Sequence, residues 1–531
     1  MHSHNTRRPL TLKESMNLAG ANLVHALSPN HDFLPFFIMR IDQNLKAECE
    51  YFWASHNVGR WWDAMLRLEH ATGYAIPPEA EAAMLRHIRQ CLDNPLSVCG
   101  FIQSSEDVAD SLKPDGWFDE HSQRETLLAL ACLVRFRGNR WAAEAGAKMV
   151  RALDRYLPPG ADYDYELMRR ICRENGVNPK GDRPNQPAKP AHVYTHGRLI
   201  EGLLEFHLAT GDGVALSLAD RLARLHFELC TREDGTPPTD QPGDLHTHSY
   251  LGMLRGLFRM GEITRQKHYI ERVAKTYQAT VRKYVLESGF ISHNFMEEGS
   301  GETTSPGDAA QLALWLARAG YEEFLGDAER IVRVRILPSQ ITTPPGLTPK
   351  RDEGADRHCK LEEQSLGALG GMHLQPHGCI QPTTDITAAD LHTLCDIYRH
   401  IAECTPDGLR INFHFDYRDD RVTVACHREK SACLKVDLRI SCGLWIRVPG
   451  WTPLETVTLY RNGEPTPLVL IGRFAYLPAC PAPSTVEMNY ELPERNSSEI
   501  LEGVTYTFNW KGDEIVGVSP NADFLPFYPT A

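Results

Sequence analysis

The sequence predicts a mainly α fold with a β domain: an (α/α)6 toroid followed by a C-terminal antiparallel β-sandwich. Three observations carry that expectation. From Arg60 onward helical segments recur in pairs, the first of each pair apolar with small residues and the second more charged. Helices of the first kind are made for burial, and amphipathic partners form an outer wall. Near Thr405 the texture changes to short alternating apolar and polar stretches broken by Gly, Pro and Asp, the pattern of a sandwich. A chain of 531 residues is also too long for one ordinary core.

Residues 1–58 read as an N-terminal lead-in segment packing on the toroid or the sandwich. It holds a short helix over 12–27 and an aromatic patch, DFLPFF, at 32–37. A near copy, DFLPFY, stands at 523–528, and equivalent docking grooves for the two ends are one reading of the pair. Residues 59–404 make the toroid. RWWDAMLRLEHATG (60–73) is the first inner helix, paired with 78–93, and SQRETLLALACLVRFRGN (122–139) pairs with 140–155. HGRLIEGLLEFHLATGD (196–212) pairs with 214–230, and HSYLGMLRGLFRMGE (248–262) with 264–285. The fifth inner helix follows a loop dense in carboxylates, Glu297, Glu298, Glu302 and Asp308. Ser305 before Pro306 reads as its N-cap, Ala309, Leu312, Ala313, Leu316 and Ala317 fall at helical spacing, and Gly320 is the stop. Its partner is 322–338, and TAADLHTLCDIYRHIAE (387–403) is the sixth inner helix. Residues 405–531 form the sandwich, from RINFHFDYR (410–418) to TYTFNW (505–510).

Composition narrows the function. The net charge is −13 with both signs interspersed, so no basic stripe fits nucleic acid and no polybasic segment fits a membrane surface. No export signal is read at the N-terminus, and no run is long enough to span a bilayer, which makes a reducing cytoplasm the expected location. Fourteen cysteines without CxxC pairs indicate neither a zinc ribbon nor a disulfide framework. A homo-oligomer is compatible with all of this.

Each inner helix is introduced by polar groups. His56, Asn57 and Asp63 belong to the first; Trp117, Asp119, Glu120, His121, Arg124 and Glu125 to the second. The third has His192, Tyr194, His196 and Arg198, and the fourth Asp244, His246, His248 and Tyr250. The fifth has Glu302 and Asp308, and the sixth His377, Cys379 and Asp385. In a toroid these ends converge on one mouth and would face each other across a cup. Two carboxyls in such a cup suit glycosidic hydrolysis, one as acid and one as base or nucleophile. Glu302 is the first choice, with Glu125 or Asp308 opposing it. Asp63, Trp117, His121, Tyr194, His196, His246, His248 and Cys379 are read as substrate-binding groups. His246 and His248, two apart, diverge on a helix, so no metal and no cofactor is expected. Three rivals remain at this stage: a toroid sugar epimerase using His196 and His246, a polysaccharide lyase using Tyr194 or His196, and a non-catalytic sugar-binding protein.

The order of these pieces resembles the β-L-arabinofuranosidase family, glycoside hydrolase family 127 (the DUF1680 proteins). HGRLIEGLLEFHLATGD looks like its Gly-His-Ala-Val-Arg helix, and GETTSPGD with GDAERIVRVRILPSQI like its Glu-Thr-Cys helix and partner. HGCIQPTTDITAADLHTLCDIYRH resembles the Cys-Cys-Pro-Pro segment, DGLRINFHF the strand opening the sandwich, and GLWIRVPGW the Arg-Ile-Pro-Gly-Trp strand. The likeness covers roughly residues 190–515 and implies an (α/α)6 barrel, a β-sandwich and exo-acting glycosidase chemistry; the reading is a glycosidase acting on oligosaccharides or glycosides of plant or algal polysaccharide origin, containing arabinose or a uronic acid. It also implies zinc held by Glu and three Cys, one of them the nucleophile. Here Glu302 matches the Glu, Thr304 stands in place of its Cys, and Cys379 alone represents the later pair. One soft ligand and one Glu make a poor zinc site, so a carboxylate mechanism without metal is the expectation.

Overall fold

The computed structural model describes residues 10–28, 32–35, 38–41, 47–50, 54–100, 118, 120–177, 184–189, 196–238, 246–295, 299–346, 361–371, 376–379 and 381–531; for 38–41, 47–50 and Ala54 it describes the backbone alone. The helices are α1 (Leu12–His25), α2 (Ala54–Thr72), α3 (Pro78–Leu92), α4 (Ser122–Arg137), α5 (Arg140–Tyr156), α6 (Tyr165–Glu174), α7 (Leu199–Thr210) and α8 (Gly213–Cys230). They continue with α9 (Thr247–Thr264), α10 (Lys267–Thr276), α11 (Arg282–Tyr284), α12 (Thr304–Arg318), α13 (Leu325–Ile331), α14 (Leu361–Ser365) and α15 (Thr384–Arg399). A π-helical turn joins α10 to α11, and another extends α13 to Ile336. Among the described residues no helix is long and apolar enough to cross a membrane.

Six of these helices close a ring. α2 packs on α4, α4 on α7, α7 on α9, α9 on α12, α12 on α15, and α15 returns to α2. The ring is tight because glycine removes the side chain where two helices meet. A Cβ on Gly59 of α2 would stand 2.8 Å from the Glu125 carbonyl carbon, and one on Gly202 of α7 would stand 3.0 Å from the Arg124 oxygen. Outer helices α3, α5, α8, α10 and α13 each back the inner helix that precedes them, as the pairing predicts. The sixth outer position is filled from the other end of the chain: α1 packs on α15 and α2. The two tryptophans of α2 pin its neighbours. Trp61 donates to the Leu23 carbonyl of α1 and Trp62 to the Met84 carbonyl of α3, both at 3.1 Å.

Two of the inner helices end where left-handed glycines stop them, Gly138 after α4 and Gly211 after α7. At α12 the expected N-cap Ser305 lies inside the first turn, since the helix begins at Thr304. Inner helices are buried nearly all round, so charged side chains on them must be paired. That requirement shapes the site.

Short strands precede the toroid: β1 (Leu27–Ser28) pairs with β2 (Leu34–Pro35), and β3 (Ile38–Ile41) with β4 (Ala47–Glu50). The C-terminal strands are β5 (Ala402–Thr405), β6 (Gly408–Ile411), β7 (Tyr417–Arg418), β8 (Val422–Arg428), β9 (Ser431–Leu438), β10 (Cys442–Arg447), β11 (Thr458–Arg461) and β12 (Glu464–Thr466). β13 (Leu470–Ile471), β14 (Phe474–Cys480), β15 (Ser484–Glu491), β16 (Glu494–Leu501), β17 (Val504–Lys511) and β18 (Glu514–Ser519) follow. One sheet has the order β13-β14-β10-β6-β5, the facing one β12-β11-β15-β9-β8-β7, and Leu409, Ile446 and Leu477 bury against Val424, Val436 and Met488 between them. Pairing is antiparallel except for β6 beside β10. A third sheet, β16-β17-β18, joins Val334 and Cys379 in a separate apolar cluster.

The two DFLPF copies dock in different places. Asp32 of the first lies against α3, where its carbonyl meets His87 Nε2 at 2.7 Å. The second runs along residues 377–379, with the Phe527 amide donating to the His377 carbonyl and the Tyr528 hydroxyl to the Val334 carbonyl. Phe36 and Phe37 lie outside the described residues.

Candidate functional site

Charged side chains near the starts of the inner helices are linked in a relay from α15 through α2, α4, α7 and α9 to α12. Asp385 of α15 accepts from Arg60 of α2 at 2.8 Å and meets His56 Nε2 at 2.9 Å. Arg60 also lies 3.5 Å from Glu125 of α4, which accepts from Arg124 at 2.9 Å and from Arg198, just before α7, at 2.5 Å. Arg124 continues to Glu201 of α7 at 2.7 Å, and Arg255 of α9 joins Glu201 to Asp308 of α12, each at 2.5 Å. Gln311 of α12 then donates to Asp396 of α15 at 2.6 Å. Four guanidinium groups (Arg60, Arg124, Arg198, Arg255) thus face four carboxyl groups (Glu125, Glu201, Asp308, Asp385), and the eight side chains of this belt balance in formal charge.

The belt fixes protonation states. Burial pushes the Glu125 carboxyl up, but Arg198, His56, Arg60 and Arg124 hold it well below the usual range. Glu201 is lowered to about 2 against its burial by Arg124 and Arg255. His248 is driven well below 6.5 by burial and by Arg198 and Arg60, so its ring is neutral. Its Nδ1 accordingly donates to Asp308 at 2.5 Å, and its Nε2 accepts from Arg60 at 2.7 Å and Arg198 at 3.2 Å.

Glu302 stands at the rim of this belt. Three backbone segments stitched together build its surroundings: Thr247 N–H donates to the His293 carbonyl, and His293 N–H to the Ser300 carbonyl, both at 2.8 Å. Bridges pair His246 with Asn294 and Ser292 with Gly301. His246 Nε2 is thereby 3.6 Å from Glu302 Oε1, and His293 Nδ1 is 3.7 Å from Oε2. Burial raises the Glu302 carboxyl, but the facing His293, His246 and His248 imidazoles outweigh it and leave it ionised below the usual range. Burial lowers His246 to about 4. A different carboxyl is kept neutral. Asp390 of α15 is fully enclosed, and burial with the nearby Asp308 and Glu302 pushes it well above the usual range. It packs under Gly307, where a Cβ would come within 2.6 Å of Oδ1, and so seats the first turn of α12.

The predicted residues divide by place. Glu125, Asp308, His121 and His248 share the belt, with His121 Nδ1 3.4 Å from Arg198. Glu302 and His246 form the rim. Asp63 lies deeper, held by Arg67 at 2.8 Å, by Cys132 and by His392, beside a small polar cavity shared with Arg60, Arg124, Glu125 and Arg255. His196 is set apart in the wall, next to Asp162 at 3.3 Å and the rings of Tyr163 and His226. Cys379 sits in the apolar cluster under the third sheet, donating to the Gly370 carbonyl, and burial raises its thiol to about 12. A thiol so placed does not fit the zinc-thiolate set that the resemblance implies. Trp117 and Tyr194 lie outside the described residues. Sequence reasoning passed over His293, Arg60, Glu201, Arg255 and Asp390. The two acids, Glu201 and Glu205, in the otherwise apolar LIEGLLEF and the lone arginine in GMLRGLF were the available signals for Glu201 and Arg255.

A ring of six helical hairpins with its polar helix starts at one mouth, followed by a β-sandwich, is the architecture of six-hairpin glycosidases. Solved structures with this fold include a GH127 β-L-arabinofuranosidase from Geobacillus stearothermophilus T6, 12% identical, with a TM-score of 0.55 over 94% of this chain and 80% of that one. A further GH127 β-arabinofuranosidase is 11% identical, with a TM-score of 0.56 over 95% and 78% of the two chains. A protein described as a glycoside hydrolase is 12% identical, with a TM-score of 0.57 over 96% and 81%. The sequence matches no protein-family profile, and no curated protein sequence matches it. At this identity the likeness defines the fold.

Proposed function

We propose that the chain is a glycoside hydrolase acting on oligosaccharides or glycosides of plant or algal polysaccharide origin, with its reacting centre at Glu302. The observation that carries the reading is the Glu302 carboxylate, ionised between two imidazoles at the rim of a ring of buried charges. An ionised carboxylate there serves as base, as nucleophile or as the charge that steadies an oxocarbenium-like transition state, and not as the acid. Glu125 and Asp308 are both buried and committed to arginine, so we assign them positioning: Glu125 holds Arg198, and Asp308 orients His248. Every belt arginine is committed to a carboxylate, which favours a neutral, arabinose-like sugar over a uronate. The wall position of His196, away from the Glu302–His246 pair, speaks against the two-histidine epimerase. The described cysteines are all free thiols, which supports the cytoplasmic location.

The test is a panel of nitrophenyl glycosides and short oligosaccharides, read as released sugar. Glu302→Gln should lower kcat/KM by at least ~100-fold in a protein that still folds, as a retained cooperative melting transition shows. Near-full activity in that variant would remove Glu302 from the chemistry.

A further inference from the structure

We infer that His246, His293 and Glu302 form a binding site for a divalent transition-metal cation of the Zn2+ class. Among the described residues this is the one place where three such donors gather, all within 4.8 Å of one another. His246 Nε2 is 3.6 Å from Glu302 Oε1, and His293 Nδ1 is 3.7 Å from Glu302 Oε2. A tetrahedral centre with bonds of about 2.0–2.1 Å places its ligands roughly 3.3–3.4 Å apart, so a cluster whose donor atoms lie within 4.8 Å of one another completes the site by drawing in by up to about 1.4 Å at its widest separation. The chemistry of the set agrees. Two imidazole nitrogens and one carboxylate suit zinc and its neighbours, whereas magnesium and calcium prefer oxygen alone.

A second observation points the same way. His246 Nδ1 meets Ser249 Oγ at 2.9 Å, leaving Nε2 to face Glu302. A ligating histidine is ordinarily held by such a partner on its other nitrogen, which fixes tautomer and ring plane. The His293 side chain is 32% exposed, so the cluster has one side open to solvent, where a fourth ligand would bind. The site is built on imidazoles from two segments that backbone hydrogen bonds hold together, not on the thiolates of the resembled family. It runs against the metal-free expectation read from the sequence, which weighed His246 with its helix neighbour His248 and did not weigh His293 as a ligand. A cation held there would supply Lewis acidity toward a sugar oxygen or water. The inference goes beyond the glycosidase reading, although it uses the same three residues, Glu302, His246 and His293.

Calorimetric titration of the metal-stripped protein with Zn2+, with Mg2+ as control, tests the site without any substrate. One equivalent of Zn2+ should bind and Mg2+ should not. His293→Ala, a partly exposed loop change, and the isosteric Glu302→Gln should each weaken binding by about 100-fold, and Ser249→Ala by about 10-fold. Co2+ should give visible d–d absorption that His293→Ala abolishes. Absence of Zn2+ binding, or binding of unchanged strength in His293→Ala and Glu302→Gln, overturns the site. Hydrolysis is read separately, so a failed titration beside a sugar-releasing enzyme leaves the hydrolase standing.

Discussion

Glu201 illustrates what one buried carboxylate contributes. Its carboxyl falls from 4.5 to about 2 in the folded chain, so the folded state binds its proton less readily than the unfolded one. The stability this supplies, roughly 3 kcal/mol, is present above pH 4.5 and is lost as pH falls toward 2. Buried histidines extend the loss upward. His246 and His414 drop to about 4, so between pH 6.5 and 4 the unfolded chain protonates first and stability already declines. Melting temperature should therefore fall from pH 6.5 downward and fall more steeply below 4.5. A flat profile from pH 7 to 4 would contradict these assignments. Asp308 belongs to the same scale. Asp308→Asn leaves His248 without its carboxylate and Arg255 with Glu201 alone, and should cost about 3 kcal/mol in urea unfolding. A cost under about 1 kcal/mol would show that the belt tolerates gaps.

Among the elements, the ring of inner helices depends on close approach. Gly59→Ala would push α2 off the Glu125 backbone of α4 and should destabilise the protein by about 1–3 kcal/mol. It should also slow hydrolysis, because Glu125 and Arg60 are carried by the two helices that separate. The inner helices were legible in the sequence because apolar periodicity is local, and RWWDAMLRLEHATG and SQRETLLALACLVRFRGN state their faces within four turns. The closure by α1 was not legible. Its docking on α15 is a contact between the two ends of the toroid, with no signature in either segment. His293 was missed for a related reason: it reaches Glu302 through backbone pairing among residues 246–247, 292–294 and 300–301, which leaves no pattern in side-chain spacing. Arg60 and Arg255 of the belt were passed over because a charge in a helix reads as solvent-facing until its partner on another helix is known.

At the scale of the whole molecule, sandwich and toroid share buried contacts. Glu329 of α13 accepts from Arg447 of β10 and from the His414 amide, and Arg333 donates to the His414 carbonyl at 2.9 Å. The C-terminal segment adds Phe527 and Tyr528 to the cluster with Val334 and Cys379. Phe527→Ala should cost about 3–5 kcal/mol, measured by denaturant unfolding, and a surface-like effect below about 0.5 kcal/mol would show that the segment is not part of the folded core. The central claim is that one mouth, ringed by six helix starts, holds the sugar at Glu302. A crystal structure of Glu302→Gln soaked with a substrate identified by the glycoside panel tests it most directly. The account predicts the sugar at the rim, its anomeric carbon about 3–3.5 Å from the side chain at position 302 and within reach of His246 and His293. A sugar seated on the β-sandwich, or at the outer wall beside His196, would contradict it.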